Sequence, residues 1–413
     1  MHSQTFRTRA HFGAAHLAKS FVWSSVDLLL GYFLYAVLHI PAGEVARLLF
    51  IFLLFGAVCD ALIGFAISWL RMQRRTVLLL HAVGSLATVV LLFGQFMLTS
   101  DSSQWTLPVG LAFRFAFALY DVPQTALTSL LPMDDRDARD YVRLRTTLSS
   151  VARVTVTAAN LAFVQLPATV FRTGVGAALF ALSAMVLVTS MGLLRNGSPS
   201  QKVAPPPRSA TRIAPPRGLL SVLVAFLAST TLFATLSRLL IFSPSPPEFA
   251  HLGAWLLLAF GVGNVVGPIV AGRLLDVAGW RGACVIAGVL AALAGDLLLL
   301  MPHTVLPTAQ IAAASIYGLG LGAVGMYLWD TASRVVRRHA ALTGQRSDGL
   351  VFGLVIFTIQ ISIALSSLIL GGVIDDHVRD GRSSAMTVIA VTTLGGIIVT
   401  ALLISQRTVA EAA

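Results

Sequence analysis

Residues 76–98 read TVLLLHAVGSLATVVLLFGQFML, twenty-three residues without one Asp, Glu, Lys or Arg. Wound as an α-helix the stretch is about 34 Å long, enough to cross the hydrocarbon core of a bilayer once. Arg74 and Arg75 stop it on one side. Eleven further stretches are apolar over a similar length, though several carry isolated charges: 14–38, 45–70, 105–130, 146–166, 172–194, 218–242, 249–274, 280–302, 306–332, 347–372 and 384–405. The runs are continuous, not alternating, so they predict helices and not the staves of a barrel. The whole chain of 413 residues agrees, with 11% charged and 56% hydrophobic residues. A water-soluble protein of this size could not cover its surface with so little charge. The expectation is an all-α membrane protein with twelve transmembrane helices. A disordered chain is excluded, as are a disulfide-stapled secreted domain (2 Cys) and a nucleic-acid binder. The net charge of +11 comes almost entirely from Arg in the loops between spans.

Those arginines set the orientation. The loop after the second span holds Arg71, Arg74 and Arg75; 131–145 holds Arg136, Arg139, Arg143 and Arg145; 333–346 holds Arg334, Arg337, Arg338 and Arg346. The alternate loops 99–104, 243–248 and 303–305 hold no Lys or Arg. Positive charge stays on the cytoplasmic side, so both termini are expected in the cytoplasm of a multi-pass protein of the cell inner membrane. The exception is 373–383, where Arg379 and Arg382 are offset by Asp375, Asp376 and Asp380. No cleavable signal peptide is evident.

Residues 195–217 contain two proline runs, Ser and Arg, and almost no apolar periodicity, which is the composition of a linker. It predicts an N-terminal six-helix bundle at 1–194 and a C-terminal one at 218–413. Parallel repeats of this kind hold their binding site at the interface.

After the eighth span, Gly272-Arg-Leu-Leu-Asp276-Val-Ala-Gly279-Trp-Arg281 fits G-x-L-x-D-x-x-G-x-R. The glycines permit close backbone packing, and Asp276 can pair with Arg281 across a short cytoplasmic loop. This resembles a signature of major facilitator superfamily transporters. The loop after span 2 keeps Gly64 and Arg71, with Ser68 where an acid is usual. In span 4, Asp121-Val-Pro123-Gln-Thr-Ala-Leu127, followed by Asp134, Arg139 and Arg145, is similar to a run in the glycoside–pentoside–hexuronide:cation symporters, the melibiose permease family. Asp60-Ala-Leu-Ile-Gly64 resembles that family's D-P-x-x-G. Thr343-Gly344-Gln-Arg346-Ser-Asp348-Gly349 resembles its T-G-x-R-x-E-G, and Lys19-Ser20-Phe21 its K-D start. The resemblance implies the major facilitator fold of two six-helix bundles and a symport activity.

It also implies roles. Asp121 and Asp60 become the cation-coupling residues. By the family's layout, spans 1, 4, 7 and 10 line the cavity and gather Asp27, Arg114, Asp121 and Trp329 around one aqueous space. Asp27, Arg114 and Trp329, with Lys19 of span 1 and Gln360 at the family's span-11 Lys position, become candidates for substrate binding. Gly272, Asp276, Arg281, Arg139, Arg145, Gly344, Arg346 and Asp348 become candidates for gating. The chain departs from the family where a second span-2 carboxylate is replaced by Gly56, a preceding Asn by Cys59, the sugar-binding Asp by Ser20, and the span-11 Lys by Gln360. An acidic pair becomes basic, with Arg337 and Arg338.

Charges inside spans cost about 2.5–3.5 kcal/mol on insertion scales, so each calls for a reason. Asp60 and Asp121 read either as coupling residues or as structural groups bonded to neighbouring helices. Asp27 reads as a substrate ligand or a cavity-facing acid, and Arg153 as a snorkelling residue or a functional one. Asp330 reads as the partner of Arg334 one turn on or as a substrate contact. Arg238 and Asp296 read as interfacial. Trp329 reads as a stacking surface or a belt aromatic. None of the 9 His lies in a metal-binding pattern, and no cofactor is expected.

Three function classes follow. The first is a secondary active transporter coupling a small polar solute to a cation gradient. The second is an exporter of drugs or natural products such as siderophores. The third, an intramembrane enzyme, lacks any catalytic pattern, and no Walker motif supports ATP-driven pumping. Sodium needs several oxygen ligands at once, which Gly56 and Cys59 do not supply through side chains; a proton needs one carboxylate. Proton coupling is therefore the expectation.

Overall fold

A computed structural model describes residues 2–132, 134–163, 168–196, 215–233, 235–240, 252–278, 282–300, 307–344, 347–380 and 395–396. Among them every regular element is helical. The helices are α1 (His2–Tyr32), α2 (Ala42–Trp69), α3 (Arg74–Phe96), α4 (Thr106–Leu130), α5 (Asp135–Phe163) and α6 (Ala168–Asn196). They continue with α7 (Leu219–Ala228), α8 (Thr235–Leu239), α9 (Leu252–Ala278), α10 (Gly282–Leu300), α11 (Pro307–Thr343) and α12 (Asp348–Asp380). The seventh stretch of the sequence is thus two short helices, α7 and α8, with a π-turn at Ser229–Phe233 after α7. Stretches eight to eleven are α9 to α12, and 384–405 lies outside the described residues apart from 395–396.

α3 shows why these helices belong in lipid. Its buried residues include His81, Gly84, Ser85, Thr88 and Gln95. Its exposed ones include Leu79, Val83, Leu86 and Val90, at spacings of four, three and four. Polar groups point inward and large apolar groups outward, the reverse of a soluble helix. Eight helices among the described residues are long and apolar enough to span a membrane. α4 and α5 are not among them. Arg114 and Asp121 lower the apolar character of α4, and the Asp- and Arg-rich start of α5 does the same there.

The sequence placed span 5 at 146–166, but α5 begins at Asp135. α1 likewise starts well before residue 14. The two extensions hold each other. Arg9 forks onto Asp137 (Nε to Oδ1, 2.7 Å) and Asp140 (Nη1 to Oδ2, 2.9 Å). Short connections have ordinary turn chemistry: Arg71 takes the left-handed conformation (φ 47°) between α2 and α3, and the Met72 N–H returns to the Ile67 carbonyl at 3.0 Å.

The chain forms two compact units. One comprises Met1–Tyr141, Thr155–Leu219 and Ala332–Gln360; the other comprises Val142–Val154, Leu220–Thr331 and Ile361–Ala413. In the first, Val22, Leu30, Phe33, Phe52, Leu92, Phe113, Phe117, Tyr120 and Val186 form an apolar core. In the second, Leu236, Leu256, Phe260, Ala291 and Tyr317 form another.

Candidate functional site

Pro123 decides the shape of α4 around the site. Lacking an N–H, it leaves the Leu119 carbonyl without its helical donor. α3 closes on this break: a Cβ at Gly84 would stand 2.6 Å from the Leu119 oxygen, so only glycine admits the approach. One turn back on α3, His81 Nδ1 lies 3.2 Å from the Tyr120 carbonyl and its ring packs on Tyr120 at 4.9 Å. A carbonyl only accepts, so Nδ1 carries the hydrogen. Next to this braced segment sits Asp121. Its Oδ1 accepts from Lys19 Nζ of α1 and from Thr125 Oγ1 at 3.0 Å, and Lys19 Nζ lies 3.3 Å from the same hydroxyl. The pair is buried, with side-chain exposures of 5% and 12%.

A second carboxylate lies in the same unit. Asp60 of α2 is fully buried, and Gln360 Nε2 of α12 donates to its Oδ2. Gly56, one turn earlier, makes room for this: a Cβ there would stand 2.6 Å from Gln360 Oε1 and 3.4 Å from Arg114 Cδ. The two departures from the family pattern, at 56 and 360, therefore meet each other. Arg114 is buried beneath aromatic rings, its guanidinium 5.4 Å from the centre of Trp23 and 6.0 Å from that of Phe113. It lies within electrostatic reach of Asp27 and Asp60, and Asp60 within reach of Asp121 and Lys19. So Lys19, Asp27, Asp60, Arg114, Asp121 and Gln360 form one cluster; the family layout grouped Asp27, Arg114 and Asp121, and packing adds Lys19, Asp60 and Gln360. It contains two bases and three acids.

The residues expected to gate fall in several places. Asp348, at the start of α12, accepts from Ser129 Oγ at 2.5 Å. Ser68 accepts the Leu350 backbone N–H at 2.7 Å, capping a donor that the helix itself leaves free. The crossing of α2 and α12 is tight enough that a Cβ on Gly64 would lie 2.7 Å from Gly353 Cα. Gly344 ends α11 in the left-handed conformation (φ 67°). In the second unit a Cβ on Gly272 would meet Arg143 Cδ at 2.6 Å. Arg145 lies 3.5 Å over the ring of Trp329, which also packs edge-on to Phe226 at 5.1 Å. A residue expected at the gate thus covers one expected to bind substrate. Arg139 is half-buried on α5. Asp296, expected at an interface, is instead buried beside Tyr317. Arg281 and Arg346, and the side chains of Asp276 and Arg238, lie outside the described residues.

Helices with inverted polarity around a buried charged cluster mark a membrane protein with a polar site in its interior. Comparison with known proteins gives the class its family. Residues 11–405 match the model of the MFS/sugar transport protein family, and the chain belongs to that family. It is a multi-pass membrane protein and a secondary transporter of small molecules, not an enzyme. A search of curated proteins found no match. Among solved structures it is similar to the major facilitator transporter FucP in its outward conformation, at TM-score 0.70 and 13% identity, over 96% of this chain and 97% of that one. The human organic anion transporter MFSD10 gives 0.66 and 14%, over 96% and 99%. The proton:xylose symporter XylE gives 0.63 and 10%, over 96% and 95%. At these identities the likeness is one of fold.

Proposed function

We propose that the protein carries a small polar solute across the cell inner membrane by alternating access, in symport with protons. The observation that carries this reading is the charge count of the buried cluster. With all five groups ionised, Lys19 and Arg114 against the buried Asp60 and Asp121 and the half-buried Asp27 leave the cluster with one net negative charge, which is costly in so poorly solvated an interior. One proton removes it. Asp121 is the first choice of proton carrier and Asp60 the second. Arg114, Asp27, Lys19, Gln360 and Trp329 are assigned to the solute. XylE, named a proton:xylose symporter, has the same fold and supports the choice of ion. A charged, hydrogen-bonding site suits a polar solute better than an apolar drug, so import is preferred to export of drugs or natural products.

In this reading the halves 1–194 and 218–413 rock about the linker 195–217, with both termini cytoplasmic. The α2–α12 crossing, Asp348, Gly344, Arg346, Gly272, Asp276, Arg281, Arg139 and Arg145 serve as clamps that make and break. The test is uptake into liposomes containing the purified protein, screened with sugars, organic acids and siderophores. Uptake should follow an imposed pH gradient and ignore a sodium gradient, and Asp121→Asn should abolish accumulation while sparing counterflow. Sodium-stimulated uptake at constant pH overturns the choice of ion.

A further inference from the structure

Beyond Asp121, α4 carries a row of polar residues that the cluster does not use. Asp121, Gln124, Thr125, Thr128 and Ser129 stand at i, i+3, i+4, i+7 and i+8, within roughly 140° of one helix face and over about 12 Å of its length. Every residue from Tyr120 to Thr128 is buried. A polar stripe on a helix buried all round is costly, because each buried donor or acceptor without a partner forfeits about 1–3 kcal/mol.

The ends of the row have partners. Asp121 and Thr125 bond each other and Lys19, and Ser129 donates to Asp348 at the start of α12. The middle does not. Both amide atoms of Gln124 and the hydroxyl of Thr128 are buried with no protein partner, although Gln124 is 0% exposed and Thr128 1%. Two adjacent groups able to donate and accept, aligned between a buried carboxylate and a helix terminus, have the chemistry of a water-bearing proton path.

We propose that the α4 face from Asp121 through Gln124 and Thr128 to Ser129 holds a file of water that conducts the coupling proton between Asp121 and the end of α4, where Ser129 meets Asp348. The proton passes from the Asp121 carboxyl to water held by Gln124, on to water held by Thr128, and out past Ser129. No bond other than O–H is made or broken. Among the described residues, the charged or titratable groups around Asp121 include Lys19 from α1, Asp60 from α2, His81 from α3 and the neighbouring Tyr120 on α4, and none of them lies in the row. The proposal rests on the proton-coupled reading above.

The test needs no substrate. The full-length protein in lipid nanodiscs is given a pH jump, and the carbonyl-stretch band of protonated carboxyls is followed in time by infrared spectroscopy. In the wild type a band should disappear after a jump to alkaline pH, and Asp121→Asn should remove it. In Gln124→Leu with Thr128→Val the amplitude should persist while the rate falls about tenfold or more, a rise of roughly 1.4 kcal/mol in the barrier. Thermal stability of that variant should stay close to wild type, since apolar groups of similar shape replace both the polar groups and the water they hold. An unchanged rate with a normal band overturns the path and leaves proton coupling intact. A band that survives Asp121→Asn overturns Asp121 as the carrier, and the path with it.

Discussion

The crossing of α2 and α12 gives the sharpest quantitative test. Replacing Gly64 with Ala puts a Cβ 2.7 Å from Gly353 Cα, where ordinary carbon contacts lie at about 3.5–4.0 Å. The helices must part by roughly 1 Å to accept it. The bond from the Leu350 N–H to Ser68 Oγ, now 2.7 Å, then stretches to about 3.7 Å and is lost. Overpacking costs about 1–3 kcal/mol and the bond about 1. Alanine returns about 1 kcal/mol through its higher helix propensity. The net loss is about 1–3 kcal/mol, so the Leu350 amide should exchange with deuterium about 5- to 150-fold faster. Hydrogen exchange read by mass spectrometry over peptides covering 348–355 measures this directly. Gly43→Ala is the control, because nothing lies within 4 Å of a Cβ there, and it should leave that exchange unchanged. Wild-type protection at Leu350 in Gly64→Ala would refute the reasoning.

Two further outcomes follow from the cluster. Lys19→Met should reduce stability by about 3–5 kcal/mol because it strands a buried carboxylate, whereas adding Asp121→Asn to it should recover most of the loss; a double variant as unstable as Lys19→Met in thermal unfolding would mean the pair is not coupled. Gly56→Asp should be poorly folded, because it buries a further carboxylate one turn from Asp60 and displaces the Gln360 amide, while adding Gln360→Lys should restore folding by supplying a counter-charge, with monodispersity in detergent as the readout.

The membrane-spanning character was legible because it is written in continuous apolar runs, and the family resemblance because Asp121-Val-Pro123 and Gly272 to Arg281 are local patterns. What joins the site together was not legible. Gln360 and Asp60 are 300 positions apart, and each departure from the family looked like an independent loss. Only packing shows that the absence of a side chain at 56 is what accommodates the amide at 360. His81 escaped notice for a different reason: one histidine in an apolar helix has no periodic signature, and its partner is a backbone carbonyl on another helix. Gln124 stood at a variable position of the motif, and its significance lies in its burial. Arg145 and Trp329 were assigned to different tasks because their contact joins α5 to α11.

The imbalance of two bases against three acids also bears on voltage. Under the proton symport proposed above, a carrier that is neutral when loaded with a proton and a neutral solute is singly negative when it returns empty. A membrane potential does work only on the charged leg, about 2.3 kcal/mol per elementary charge for each 100 mV if the charge crosses the whole field. With the cell interior negative, that work drives the empty, negative site back toward the outside. Each turnover then registers as one positive charge entering, and clamping the potential at zero slows the return leg while leaving the loaded crossing untouched.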